Sequence, residues 1–191
     1  MKKAAADVEK VSMYKKSMIE VQRECEATLI PTGAKVTLQK GSQVAITQAL
    51  GNAYTVYVNG NLVRVAGKDG DALGLVMMED PDVNAMEGTI EDKVKALLET
   101  CFDPEIPVNI MDLGLVYECC VNALENKKNE VIIKMTLTAP GCGMGPVLVS
   151  EIEQKIRMIH DVENVKVDLV FDPPWNRNMM SDVAKLQLGI L

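Results

Sequence analysis

The sequence predicts an α+β protein: a small N-terminal all-β barrel or meander, then a two-layer sandwich in the order α-β-β-α-β-α. Three observations predict it. Between Pro31 and Gly74, short alternating stretches are cut by Gly- and Asn-rich turns, as in small β domains. The stretch "MMEDPDVNAMEG", residues 77–88, is acidic, carries a proline and has no period, as a linker does. Beyond it, helical and strand periods alternate within one segment. The expected division is a polar N-terminal segment over 1–19, a β-rich domain over 20–76, a linker over 77–88 and an α+β domain over 89–191.

Taken in order, residues 7–18 have the polarity of a short frayed helix. In "EVQRECEATLI" the period changes: Val21, Cys25, Ala27 and Leu29 alternate with polar residues, and Arg23 breaks the apolar row. A helical reading through Val11, Tyr14, Met18, Val21 and Cys25 competes with the strand. "KVTL", "QVAITQAL", "AYTVYV" and "LVRVAG" then read as strands, and Asn59-Gly60 is the strongest local hairpin signal in the chain. In the second part, Thr89 and Asp92 resemble a helix-capping pair, followed by an apolar stripe of Ile90, Val94, Leu97, Leu98 and Cys101. Pro104 and Pro107 make "FDPEIPVNIMDLG" a loop. "LVYECCV" and "EVIIKMTLT" are strands joined by a polar turn. A helix is expected over Pro146–His160, then the strand "NVKVDLVF", the loop "DPPW" and a helix from Asn178 to Leu188 stopped by Gly189.

Composition narrows the function. Of 191 residues, 48% are hydrophobic but only 4% aromatic, with 12 Met, so aliphatic and thioether packing fills the core. A net charge of −7 argues against a nucleic-acid surface or an anionic membrane surface. No apolar run approaches the roughly 20 residues of a membrane span. The N-terminal stretch has two lysines with no apolar core behind them and does not read as a signal peptide. Five cysteines, an odd number without export signals, suggest reduced thiols in a cytoplasm. With no C-x-x-C pair and one histidine, a self-contained zinc site is not expected.

The chemistry concentrates in "TAPGCGMGP". Cys142 stands between Gly141 and Gly143, ahead of a helix opened by Pro146. A helix N-terminus favours a thiolate, and flanking glycines leave room for a partner to approach, so Cys142 is expected to be an exposed, activated thiol. The other thiols sort differently. Strand alternation puts Cys119 on the face of Leu115, Tyr117 and Val121, which reads as core, and Cys120 on the opposite face with Glu118. Cys101 belongs to a buried helical stripe, and Cys25 to a strand of the other domain. Asp103 and Glu105 sit in a rigid proline loop, where Asp-Pro is also a common turn starter. Thr136 and Thr138 share a face of the strand leading to Cys142. A Cys142–His160 pair is not expected, because the intervening helix is about 20 Å long at ~1.5 Å per residue. No nucleophile elbow, Walker or dinucleotide motif is present.

"DPEIPVNIMDLGLVY", "MTLTAPGCGMG" and "DPPWNRNMMSDVAKLQLG", in this order and spacing, resemble the signature of SufT-type proteins. These belong to the iron–sulfur assembly domain family, which includes the phenylacetate-degradation D-type proteins. The match covers about residues 88–191, and "IPTGAKVTLQKGSQVAITQALGNAYTV" with "DALGL" resembles the N-terminal extension of SufT. The resemblance implies that Cys142 is the family's reactive cysteine, holding a transient iron–sulfur cluster or iron. It implies Asp103, Glu105, Thr138, Gly141 and Gly143 as its supporting site. Where the family often has proline after the cysteine, this chain has Gly143. The implied partners are iron–sulfur assembly machinery and client apoproteins, with a homodimer as a further arrangement, and no nucleic acid or membrane. An assembly factor is expected rather than a catalyst. A cysteine-dependent thiol enzyme, or a client-binding scaffold with a structural Cys142, are the competing readings.

Overall fold

The computed structural model describes residues 18–190. They form two compact units that divide between Glu79 and Asp80.

The first unit is a six-stranded antiparallel sheet in the order β1-β4-β5-β6-β2-β3. Its strands are β1 (Met18–Glu20), β2 (Cys25–Ile30), β3 (Lys35–Leu38), β4 (Gln43–Leu50), β5 (Ala53–Val58) and β6 (Asn61–Ala66). β4, β5 and β6 form a meander, and the β2–β3 hairpin docks beyond β6. The Asn59-Gly60 turn has positive φ at both residues, 48° and 85°, the type I′ geometry that matches strand twist. The helix expected over 7–18 lies outside the described residues except for Met18, which opens β1, so the sheet begins two residues earlier than expected. Residues 21–24 form neither a continuous strand nor a helix. Arg23 interrupts them because its guanidinium turns outward to Asp69 (3.0 Å) and Asp71. Val21, Val44, Val56 and Val65 are fully buried beneath the sheet.

The second unit carries α1 (Ile90–Leu98), β7 (Val116–Ala123), β8 (Asn129–Met135), α2 (Gly145–Ile156), β9 (Val162–Leu169) and α3 (Asp182–Gln187), the expected element order. β8 is central, antiparallel to β7 and parallel to β9. The parallel pair requires a crossover, which α2 supplies. Val131, Ile133 and Met135 project from one face of β8 into a core shared with Leu97, Leu98, Ile110, Leu113, Leu115, Ile152 and Ile156. α1 starts in a full capping box. The Thr89 hydroxyl accepts from the Asp92 amide (3.2 Å), and the Asp92 carboxylate accepts from the Thr89 amide (2.8 Å). The tip joining β7 to β8 is a tight turn in which Lys127 adopts φ 65°, Leu124 N–H donates to the Lys128 carbonyl (2.8 Å), and the Lys128 ammonium reaches the His160 carbonyl.

Four local expectations change. Within the expected linker 77–88, residues from Asp80 onward belong to the second unit. Val83 is buried in its core, and Asp80 pairs at 2.8 Å with Lys155, a buried lysine that also donates to the Thr100 carbonyl and hydroxyl. α2 ends at Ile156 rather than His160; the chain turns there, and the His160 amide donates to Asn84 Oδ1. The C-terminal helix does not begin at Asn178. A single 3₁₀ turn, Arg177–Met179, is followed by extended Met180, and Ser181 caps α3 by accepting from the Ala184 amide. Cys119 does lie on the core-facing side of β7, opposite Ile133, yet the residue is exposed. β7 is an edge strand and the core does not extend beneath Cys119. A register shift between Val116 and Glu118 also breaks the alternation on which the assignment of Tyr117 depended.

Among the described residues, no helix is long and apolar enough to cross a membrane.

Candidate functional site

The Cys142 loop is built by the end of β8 and the start of α2. Beyond Met135 the chain stays extended long enough for the Thr136 amide to bond the Leu115 carbonyl (2.8 Å) and for Leu137 to enter the core. It then folds into two successive turns. Cys142 N–H donates to the Ala139 carbonyl (3.3 Å), and Gly145 N–H donates to the Cys142 carbonyl (3.1 Å). α2 follows, with Met144 at its cap and Pro146 in its first turn. The two neighbouring glycines serve different ends. Gly141 has φ 80°, a left-handed conformation that disfavours other residues, and a Cβ placed there would meet nothing within 4 Å. Gly145 is a packing requirement, since its Cβ would lie 2.8 Å from Leu137 Cδ1. Cys142 itself is half-buried rather than exposed as expected, because its side chain rests against the core of the second unit, while Gly141 and Gly143 are exposed.

The "DPE" loop reaches the same place through Asp103. Asp103 is 7% exposed. Its Oδ1 accepts from the Glu105 amide (2.8 Å) and the Ile106 amide (2.9 Å), and its carboxylate also accepts from the Thr138 hydroxyl. Burial pushes the Asp103 carboxyl above its ordinary value, partly opposed by these three donors. Asp103 therefore starts a turn, as Asp-Pro often does, and at the same time ties that turn to the residue four positions before Cys142. The two carboxylates do not act as a pair: Asp103 points inward, and Glu105 is exposed. Thr136, 1% exposed, keeps a hydroxyl oxygen with no hydrogen-bond partner.

The remaining thiols are poorly suited to nucleophilic or ligand chemistry. Burial pushes the Cys25 thiol up, and Cys119, exposed as a residue, has a sulfur desolvated enough on its inward side that its thiol is pushed up too, with Cys120 and Glu91 adding to the rise. The Cys120 thiol donates to Glu118 Oε1 at 3.3 Å, and this bond to a carboxylate holds its proton on. Cys101 is buried, with its sulfur against the Leu97 carbonyl (3.5 Å). Among the described residues, no three of His, Cys, Asp and Glu are grouped to hold a metal ion.

A second set of residues, not singled out from the sequence, fixes the loop from Asn109 to Gly114. The Asp112 carboxylate accepts from Asn109 Nδ2 (2.7 Å) and from the Ser181 hydroxyl (2.7 Å), and Trp175 Nε1 donates to the Leu113 carbonyl (2.8 Å). Gly114, at φ 68°, passes so close to Met179 that a Cβ would lie 2.2 Å from its carbonyl oxygen. The "DPPW…SDVAK" segment is thus a strap over the "DLG" loop. The signal available in the sequence was Ser181 before Asp182, an N-cap pattern lying within an apolar run.

A family model described as "Iron-sulfur cluster assembly protein" matches residues 91–168, from α1 to the end of β9. The chain is 43% identical over 101 residues to the Fe-S protein maturation auxiliary factor of Porphyromonas gingivalis, covering 53% of this chain and 92% of that protein. It is 36% identical over 105 residues to the Fe-S protein maturation auxiliary factor YitW of Bacillus subtilis, covering 55% of this chain and 99% of the relative. A solved structure from Bacillus anthracis, of a domain of unknown function, DUF59, is 40% identical, with a TM-score of 0.46, over 53% of this chain and 93% of that one. The matched region holds the Asp103–Thr138 tie, the Cys142 loop and the sheet that carries them; on the identity and extent of these matches, the chain belongs to the iron–sulfur cluster assembly protein family.

Proposed function

We propose that the protein is an auxiliary factor in iron–sulfur cluster assembly or transfer to client apoproteins, acting in the cytoplasm and using Cys142 to hold a cluster or iron transiently. It acts as an assembly factor rather than a catalyst, a reading supported by relatives named Fe-S protein maturation auxiliary factors. One observation carries the reading: Cys142 is a half-buried thiol on a loop with open space at Gly141, while three of the other four thiols are held protonated or desolvated and the fourth is buried. A lone thiolate suits a carrier. A complete set of four cysteines binds a cluster as a resident group, whereas one thiolate leaves the remaining coordination positions for the acceptor. Asp103 and Thr138 shape the loop, and Glu105, exposed beside them, offers a hard oxygen ligand at the rim.

Anaerobic reconstitution with ferrous iron and sulfide tests this. The wild type is expected to gain visible absorbance and bound iron, and Cys142→Ser to lose both. Limited alkylation of the untreated protein, read by peptide mapping, is expected to label Cys142 before Cys119 or Cys120. Equal iron and colour in Cys142→Ser, or first labelling at Cys119, overturns the assignment.

A further inference from the structure

β7 is an edge strand: β8 pairs with one side of it, and no described strand pairs with the other. Natural edge strands are usually blunted by lysines, prolines, bulges or short length, and the register shift of β7 lies at its start, ahead of Glu118. β7 has eight residues, "VYECCVNA", with no lysine or proline and one charge, Glu118, which Lys134 already neutralises at 2.6 Å. Backbone groups along such an edge call for another extended strand. We infer that β7 pairs antiparallel with β7 of a second copy, about a two-fold axis at Cys120.

Symmetry narrows the register. Directly opposite residues of an antiparallel pair point to the same face. A two-fold axis that joins two edges into one sheet stands perpendicular to that sheet, so every residue faces one of its own parity. Glu118, Cys120 and Asn122 lie on the outer face, opposite Lys134, Ile132 and Glu130 of β8. Cys119 and Val121 lie on the core side, opposite Ile133 and Val131. An axis at Cys119 runs the pairing into the register shift between Val116 and Glu118, and an axis at Val121 sets Glu118 against Leu124, beyond the strand. An axis at Cys120 stays within the regular stretch. It sets each Glu118 against Asn122 of the other copy, Cys119 against Val121, and Cys120 against Cys120, so no like charges oppose.

The arrangement has a consequence for the site. Two three-stranded sheets become one of six, with both helical layers on the same face. The Cys142 loop follows the end of β8 that pairs with Val116. The two-fold axis sends these ends in opposite directions. The two Cys142 loops therefore lie apart, and each works with ligands from a client rather than from the other copy.

Sedimentation velocity of the full chain over a concentration series tests the pairing, together with two substitutions at exposed Asn122. Asn122→Glu sets carboxylates opposite Glu118 at two symmetric positions, and Asn122→Lys sets opposite charges there. Cross-strand pairs of this kind shift the dimer dissociation constant by roughly 2- to 30-fold for the two positions together. The expected result is a monomer–dimer equilibrium weakened by Glu and tightened by Lys. The Lys variant also faces Glu130 within its own chain, so it retains its fold and keeps the test readable. Diamide, which accepts two protons and two electrons from two thiols, is expected to yield a Cys120–Cys120 disulfide between copies. A monomer at every concentration, a dimer indifferent to both Asn122 variants, or an interchain disulfide at Cys142 overturns the inference.

Discussion

Asp103 is the residue at which stability and site geometry meet. Its carboxylate is buried, and burial raises its folded value above the ordinary 3.8. For an acid raised in this way, the native state holds a proton that the unfolded chain has released. The stability it contributes is fully present below pH 3.8 and is lost as pH rises through the raised value. Asp71, Asp92 and Glu118 are shifted downward, so their contributions run the other way. The difference between wild type and Asp103→Asn isolates the single group. Asn keeps an Oδ1 to accept from the Glu105 and Ile106 amides and cannot ionise. The urea midpoint of Asp103→Asn, followed from acid to neutral pH, is therefore expected to fall less with rising pH than that of the wild type. Parallel curves would show that the carboxylate titrates alike in the folded and unfolded chains.

At the scale of elements, α3 depends on one side chain. A helix of six residues is too short to persist by propensity. Ser181 holds it by capping the Ala184 amide (3.1 Å) while its hydroxyl donates to Asp112 (2.7 Å). Ser181→Ala removes both bonds and is expected to cost about 1–2 kcal/mol in chemical unfolding. It also frees one oxygen of the Asp112 carboxylate, so local hydrogen exchange in 109–114 should rise with it. This element shows what a sequence hides. Asn59-Gly60 and Thr89/Asp92 were legible because each encodes its own geometry within a few residues. So was the Cys142 loop, where glycine, cysteine and proline stand side by side. Ser181 was not, because Met179, Met180 and Val183 mimic one continuous helical run through it. Cys119 was placed on the right face but in the wrong environment. Alternation gives a side chain's direction, whereas its cover depends on β7 lying at the sheet's edge, a property of the whole fold. The Asp103–Thr138 bond spans two motifs 35 positions apart and follows only from the sheet that joins them.

For the whole molecule, the boundary between Glu79 and Asp80 sets where the chain can be divided. A chain of residues 80–191 retains Val83 in its core and the Asp80–Lys155 pair, and is expected to unfold in one cooperative transition. A chain begun at Gly88 lacks both. It leaves Lys155, whose side chain is 6% exposed, with Thr100 and a longer 3.5 Å contact to Glu151. Losing one partner of a buried pair costs about 3–5 kcal/mol in other proteins, so the shorter chain should unfold at markedly lower urea. Equal midpoints for the two chains would assign residues 80–87 no part in the second unit.

The turn between β7 and β8 gives the experimenter a handle. It joins β7 to β8, whose far end leads to the Cys142 loop, so β8 stands between the turn and that loop, about 20 Å of rigid strand at ~3.3 Å per residue. Lys127 already holds the left-handed backbone that glycine adopts freely, which makes the tip tolerant of rebuilding. A fluorophore or a short tag inserted there would sit about 20 Å from the Cys142 loop, so the loading and unloading proposed for that thiol could be followed without a label touching it.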